Sequence, residues 1–136
     1  MALRYSLHVP GSLNPTNPLP VWSQPSFMEA VAKVHGLKLY HLCCFKGESL
    51  RALLPVYERS RLGLRLLVCP PLAYYQPLTF FPDPETRGIE QDQLQIICGL
   101  ADHISKTWSR IRFNLDPGTL DARGFSWAGL KASPLY

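Results

Sequence analysis

The chain has 136 residues, 46% apolar and 18% charged, with 14 Lys/Arg against 10 Asp/Glu and a formal net charge of +4. That is one domain's worth of chain with enough apolar surface to bury a core, which excludes an intrinsically disordered protein. It has no long Lys/Arg run, zinc-finger spacing or RRM-type aromatic motif, which argues against a dedicated nucleic-acid reader. No apolar run approaches the roughly 20 residues a membrane span needs. No basic segment leads into an apolar one at the N-terminus, so no signal peptide is expected and the expected location is the cytoplasm.

Residues 1–9 alternate, with Leu3, Tyr5, Leu7 and Val9 on one face, which predicts a short strand. Residues 10–20 hold four prolines and two asparagines and form an irregular connector. Ser23 or Ser26 then caps a helix; Glu29 stands three residues after Ser26, the capping-box spacing. Phe27, Ala30, Val31 and Val34 give its apolar stripe, and Gly36 is placed to end it. Leu37 to Phe45 reads as a strand, with Leu37, Leu39, His41, Cys43 and Phe45 on one face. After the turn Lys46-Gly47-Glu48, Leu50 to Tyr57 returns and completes a hairpin. The charged tip 58–63 makes the next turn. Leu64 to Cys69 follows as a third strand, whose nearly continuous apolar run predicts burial on both faces.

Val68 to Pro82 (VCPPLAYYQPLTFFP) holds four of the 13 prolines, four of the 12 Phe/Tyr residues and no charge. Proline lacks an amide donor and fixes φ near −65°, so regular helix and central strand are excluded for this stretch. A stiff, apolar, irregular crossover is expected, either lining a cleft or covering core. Asp83 to Gly88 is a polar turn. From about Ile89 to Trp108, the residues Leu94, Ile97, Leu100, Ala101, Ile104 and Trp108 mark an amphipathic helix. Ile111 to Leu115 alternates as a strand, and Pro117-Gly118 stops it. Residues 119–124 fit one helical turn; Phe125 to Trp127 and Leu130 to Tyr136 read as extended. The order β, α, β-β-β, crossover, α, β, short α, β predicts an α+β fold with a mixed, mostly antiparallel sheet and two main helices.

No nucleophile–base pair stands out. His8, His35, His41 and His103 lack metal-ligand spacing, and no metal is expected. Cys43, Cys44, Cys69 and Cys98 form no C-x-x-C pair and sit in apolar surroundings, which predicts reduced thiols; Cys43 and Cys44 face opposite sides of their strand. Asp116 and Asp121 flank a turn, as acid–base pairs or as ordinary caps. Arg59, Arg61 and Arg65 around one turn are candidate contacts for an anion, against the ordinary reading of a solvated hairpin tip. Tyr74, Tyr75 and Gln76 in the crossover are the leading site candidates, as cleft-lining rings or as packing surface.

The helix bearing Trp22 and Phe27, the run LYHLCCFKGESLRALLPVYERSRLGLRLL, the segment CPPLAYYQPL and the tail FSWAGLKASPLY together resemble the FemAB-like branch of the GNAT acyltransferase superfamily. The likeness covers about residues 22–136 and rests on order and spacing. It implies a single GNAT-like domain over 1–136, with residues 1–20 an N-terminal strand and connector and 22–136 the core. It further implies the first half of a two-half N-acyl or aminoacyl transferase, truncated at the C-terminus and inactive without the second half. Trp127 and Tyr136 would then join Tyr74, Tyr75 and Gln76 in the substrate cleft. The family's Gly-Gly after the tyrosine is Tyr75-Gln76 here, which implies a cleft wall filled by side chains. Its pyrophosphate loop is absent, so no cofactor is expected in this chain; an acyl-CoA or aminoacyl donor would belong to the complete protein, an aminoacyl-tRNA being the one nucleic acid implied. The other reading is a non-catalytic α+β interaction module that self-associates, as a homodimer, through an edge strand and the aromatic segment.

Overall fold

The computed structural model describes residues 3–13, 18–71, 73–81 and 89–115, with Phe125 and Leu130; the backbone alone is described at 89–91. Its elements are β1 (Leu3–His8), a 3₁₀ turn (Val21–Ser23), α1 (Pro25–His35), β2 (Lys38–Lys46), β3 (Ser49–Arg61), β4 (Leu64–Val68), β5 (Thr79–Phe80), α2 (Ile89–Thr107) and β6 (Arg110–Ile111). One six-stranded sheet runs β1-β2-β3-β4-β6, with β5 also paired to β3. Every pairing is antiparallel except β4–β6, which is parallel. The fold is therefore α+β with a mixed, mostly antiparallel sheet and two helices, as the element order predicts. The helical turn and strands expected within 116–136, Phe125 and Leu130 apart, and the polar turn 83–88 lie outside the described residues.

The α2 face of the sheet carries the larger core. Leu42, Cys44, Ala52, Leu54, Val56 and Leu67 meet Ile96, Ile97, Leu100, Ala101, Ile104 and Trp108 there. Tyr5 on β1 crosses to α2 and donates its hydroxyl to the Ile96 carbonyl at 2.9 Å. Gly99 makes this crossing possible, because a Cβ at that position would lie 2.1 Å from the tyrosine oxygen. The opposite face holds a smaller core of Met28, Val31, Ala32, Leu37, Tyr57 and Ala73 under α1.

Several expectations are corrected. Pro25, not Ser26, opens α1, with Gln24 at the N-cap and no side-chain cap. Proline's fixed φ and missing donor suit the first helical position and override the capping-box signal. Its inward face is Met28, Val31 and Ala32, while Val34 is 68% exposed. Gly36 ends the helix in the left-handed region, φ 64°, as expected. The strand buried on both faces is β3 over residues 51–58, not β4, most of which is exposed or half-buried. Apolar runs record side-chain character, and neighbours decide burial: β3 has strands on both edges and a helix on either face, whereas α1 does not reach over most of β4. β3 also runs on through Arg61, so the turn is only Leu62-Gly63, both at positive φ (52° and 78°). Thr79–Phe80, expected within the irregular crossover, pairs with Leu53 and Ala52. Phe125, expected in extended chain, is instead helical, and its carbonyl accepts the Leu130 amide at 3.0 Å.

β3 solves a local problem at Pro55, a proline in the middle of a central strand. The two-residue turn makes Arg61 and Leu64 a mutually hydrogen-bonded pair. Every second residue back, Arg59, Tyr57 and Pro55, therefore turns its backbone polar groups to that same edge. β4 covers Tyr57–Arg61 and β5 covers Ala52–Leu53, so Leu54–Val56 faces neither strand. Pro55 sits where no partner asks for a donor. Near that point the β2–β3 register shifts, leaving Arg51 as the extra residue, and its carbonyl takes the Phe81 amide at 2.8 Å.

Candidate functional site

The crossover leaves β4 at Val68 and returns to β3 at Thr79. Its first turn closes through the Ala73 amide on the Pro70 carbonyl at 3.1 Å, and buried Ala73 packs against Tyr57. Pro70 and Pro71 stiffen the approach, so the next residues are held extended on the rim of the α1 face. There Tyr74 and Tyr75 meet Trp22 of the 3₁₀ turn edge to face, with ring centroids 5.7 and 5.9 Å away. Phe27 of α1 closes the group from the other side at 5.3 Å. Trp22 is thus the hub of a four-ring cluster whose Tyr74 is 66% exposed. Such a cluster offers apolar ring surface with phenolic tips at its rim, which suits a substrate that is part apolar and part hydrogen-bonding.

Gln76 takes a different part from its neighbours. It is 1% exposed, and its side chain faces inward. Its Oε1 accepts the Asn114 amide at 2.8 Å and its Nε2 donates to the Ala73 carbonyl at 3.3 Å, while its own amide donates to the Asn114 carbonyl at 2.6 Å. Asn114 answers with its Nδ2, which donates to the Tyr74 carbonyl and to Cys69 Sγ. The pair fixes the tyrosine-bearing backbone to the segment after β6. Tyr74 and Tyr75 are therefore brought together, Gln76 supports them from beneath, and Trp127 and Tyr136 lie outside the described residues. Trp22 and Asn114 are absent from the sequence-derived site. A tryptophan just ahead of a helix is a signal for the first; nothing local marks the second, which acts through a partner 38 residues away.

The three arginines do not converge. Arg65 lies on the α2 face, where its Nε donates to buried Glu58 and its guanidinium covers the Trp108 ring; Trp108 Nε1 donates to the same Glu58 oxygen at 2.9 Å. Arg59 and Arg61 project from the other face and are exposed.

Other reactive groups are buried or committed. His41 is 2% exposed, its Nε2 sits 2.8 Å from the Ser23 carbonyl, and burial pulls its pKa below the usual histidine value. Burial pushes Cys43 up to about 12 and raises Cys44 and Cys69, so these thiols stay protonated at neutral pH. All four cysteines are free, and Cys43 and Cys44 enter cores on opposite faces as expected. Ser6 Oγ lies 2.7 Å from His8 Nε2, but no described carboxylate touches this pair. Among the described residues no His/Cys/Asp/Glu group is arranged for a metal, and no helix is long and apolar enough to cross a membrane.

No protein-family profile matches this sequence, and no curated protein matches it. Among solved structures, a ribosomal-protein-alanine N-acetyltransferase from Brucella melitensis biovar Abortus 2308 is similar at 14% identity and a TM-score of 0.44, covering 100% of this chain and 96% of that one. A likeness of that strength assigns no activity.

Proposed function

We propose that the chain is a GNAT-like domain of the FemAB-like type that supplies the acceptor-side wall of an N-acyl or aminoacyl transferase. The observation that carries this reading is the crossover itself. The Pro-Pro…Tyr element that the resemblance makes cleft-lining is held by buried hydrogen bonds and presents Tyr74, Tyr75 and Trp22 at a rim. In such an enzyme the wall orients the amine acceptor, and the gain comes from proximity to an activated acyl group. The acyl donor, acyl-CoA or aminoacyl-tRNA, is assigned to a second half outside residues 1–136.

The test is titration of acetyl-CoA and an aminoacyl-tRNA into residues 1–136 and into the longest natural reading frame, with transfer to amine-bearing peptides followed in parallel. The expected result is donor binding and transfer only by the longer protein, and a rise in acceptor KM for Tyr74→Ala. Tight donor binding by residues 1–136 alone would overturn the division of labour.

The self-associating module keeps one observation in its favour: β1 is an edge strand of the sheet. Light scattering separates the two readings. A concentration-dependent dimer that Tyr74→Ala/Tyr75→Ala dissolves supports the module, and a monodisperse monomer removes it.

A further inference from the structure

The tip of the β3–β4 hairpin breaks a local rule. A two-residue turn with positive φ at both positions strongly prefers Asn, Asp or Gly at the first. Leu62 holds it instead, at φ 52°, in a conformation that a branched apolar side chain disfavours. It is 94% exposed, and Leu64 beside it is 49% exposed. Neither has a packing reason to be apolar.

The surroundings of this tip are basic. Tyr57 belongs to the α1-face core, so alternation puts Arg59 and Arg61 on that same face. Arg61 is registered with Leu64, and Arg59 with Leu66. Across β4, Leu66 is registered with Arg110; Ile111 and Phe113 pack into the α2-face core, so Arg110 and Arg112 point the opposite way. The result is one uncovered sheet face on which Arg59, Arg61, Arg110 and Arg112, all exposed, surround Leu64 and Leu66 behind a projecting Leu62. The ion pairs among the described residues involve none of these four arginines.

We infer that this hairpin tip docks the protein onto an anionic lipid surface, with Leu62 and Leu64 entering the headgroup–acyl boundary and the four arginines meeting lipid phosphates. Exposed aliphatic side chains within a basic ring suit a bilayer interface. The described patch has no aromatic ring on which a base would stack, so single-stranded nucleic acid fits it less well. A second copy of a chain with net charge +4 is not complementary to it either.

Co-sedimentation tests the inference, with vesicles of phosphatidylcholine alone and of equal parts phosphatidylcholine and phosphatidylglycerol. The expected result is salt-sensitive binding to the anionic vesicles only. Arg59→Gln/Arg61→Gln lowers partitioning by roughly 30-fold, at about fivefold per basic residue. Leu62→Asn lowers it by about tenfold through lost apolar insertion, while raising the unfolding temperature, which shows that the fold is intact. Absence of binding, equal binding to neutral vesicles, or unchanged binding in either variant overturns the inference. So does retention by single-stranded RNA or polyglutamate in place of vesicles.

Discussion

The two faces of the sheet are built on different terms. The α2 face is broad and aliphatic, and its buried charges among the described residues are paired: Glu58 is met by both Trp108 and Arg65, and Arg51 by Asp92 of α2. The α1 face is smaller and carries polar groups inside it. Among the described residues, the hydroxyls of Ser23 and Tyr57 are buried there without a hydrogen-bond partner, and His41 is buried against Ser23. Stability therefore concentrates on the α2 side, where most of the apolar area is buried and the buried charges are paired. The aromatic rim and the arginine patch both lie on the α1 side, where the sheet is only partly covered. Function is expected on the face that gave up some packing.

Substitutions sharpen that contrast in order of size. Leu100→Ala, at a fully buried α2 position, should cost about 2–5 kcal/mol in denaturant unfolding; a loss no larger than that of Val31→Ala on α1 would end the asymmetry. Gly99→Ala should also destabilise, by about 1–3 kcal/mol, although alanine is the better helix former. The new Cβ meets Tyr5, so the loss should shrink in a Tyr5→Ala background, and strict additivity would show that the close contact is not the cause.

On the α1 side the first effect is pH-dependent. His41 has a folded pKa below its unfolded value near 6.5, so the unfolded chain takes up the proton first as pH falls. Stability is full above about pH 6.5 and declines below it. His103, also depressed by burial, adds a slope of the same sign. Thermal melts should show His41→Gln flattening the acid limb, and an unaltered limb would remove His41 from the account. The smallest effect has the opposite sign: Tyr57→Phe deletes a buried, unpartnered hydroxyl and should be neutral or stabilising by up to about 1 kcal/mol. A clear destabilisation would mean that this hydroxyl is satisfied.

Periodicity made α2 legible from sequence, since Ile97, Leu100, Ala101, Ile104 and Trp108 are all buried. The β2–β3 hairpin and the Gly36 stop were legible because turn chemistry is local, whereas the β3–β4 turn, with Leu62 where Asn, Asp or Gly is preferred, was legible only as a wider turn than it is. Which strand lies at the centre was not, because burial of β3 depends on two helices and two flanking strands that no window contains. For the candidate site, the crossover's proline and tyrosine content pointed to Tyr74 and Tyr75, but the same signal did not separate them from inward-turned Gln76. Arg65 likewise looked equivalent to Arg59 and Arg61 until strand alternation sent it to the other face.

The reciprocal bonding of Gln76 and Asn114 has a kinetic meaning. Their four polar groups join the crossover to a segment that follows α2 in the chain, so neither amide is protected unless the other residue is in place. Amide hydrogen exchange should show Gln76 and Asn114 opening together as one cooperative unit, at a free energy below that of the β2–β3 pair. The tyrosine rim would then rise and fall with the docking of residues 110–115, and slowed exchange at Gln76 would report a bound acceptor even though the ligand touches neither residue.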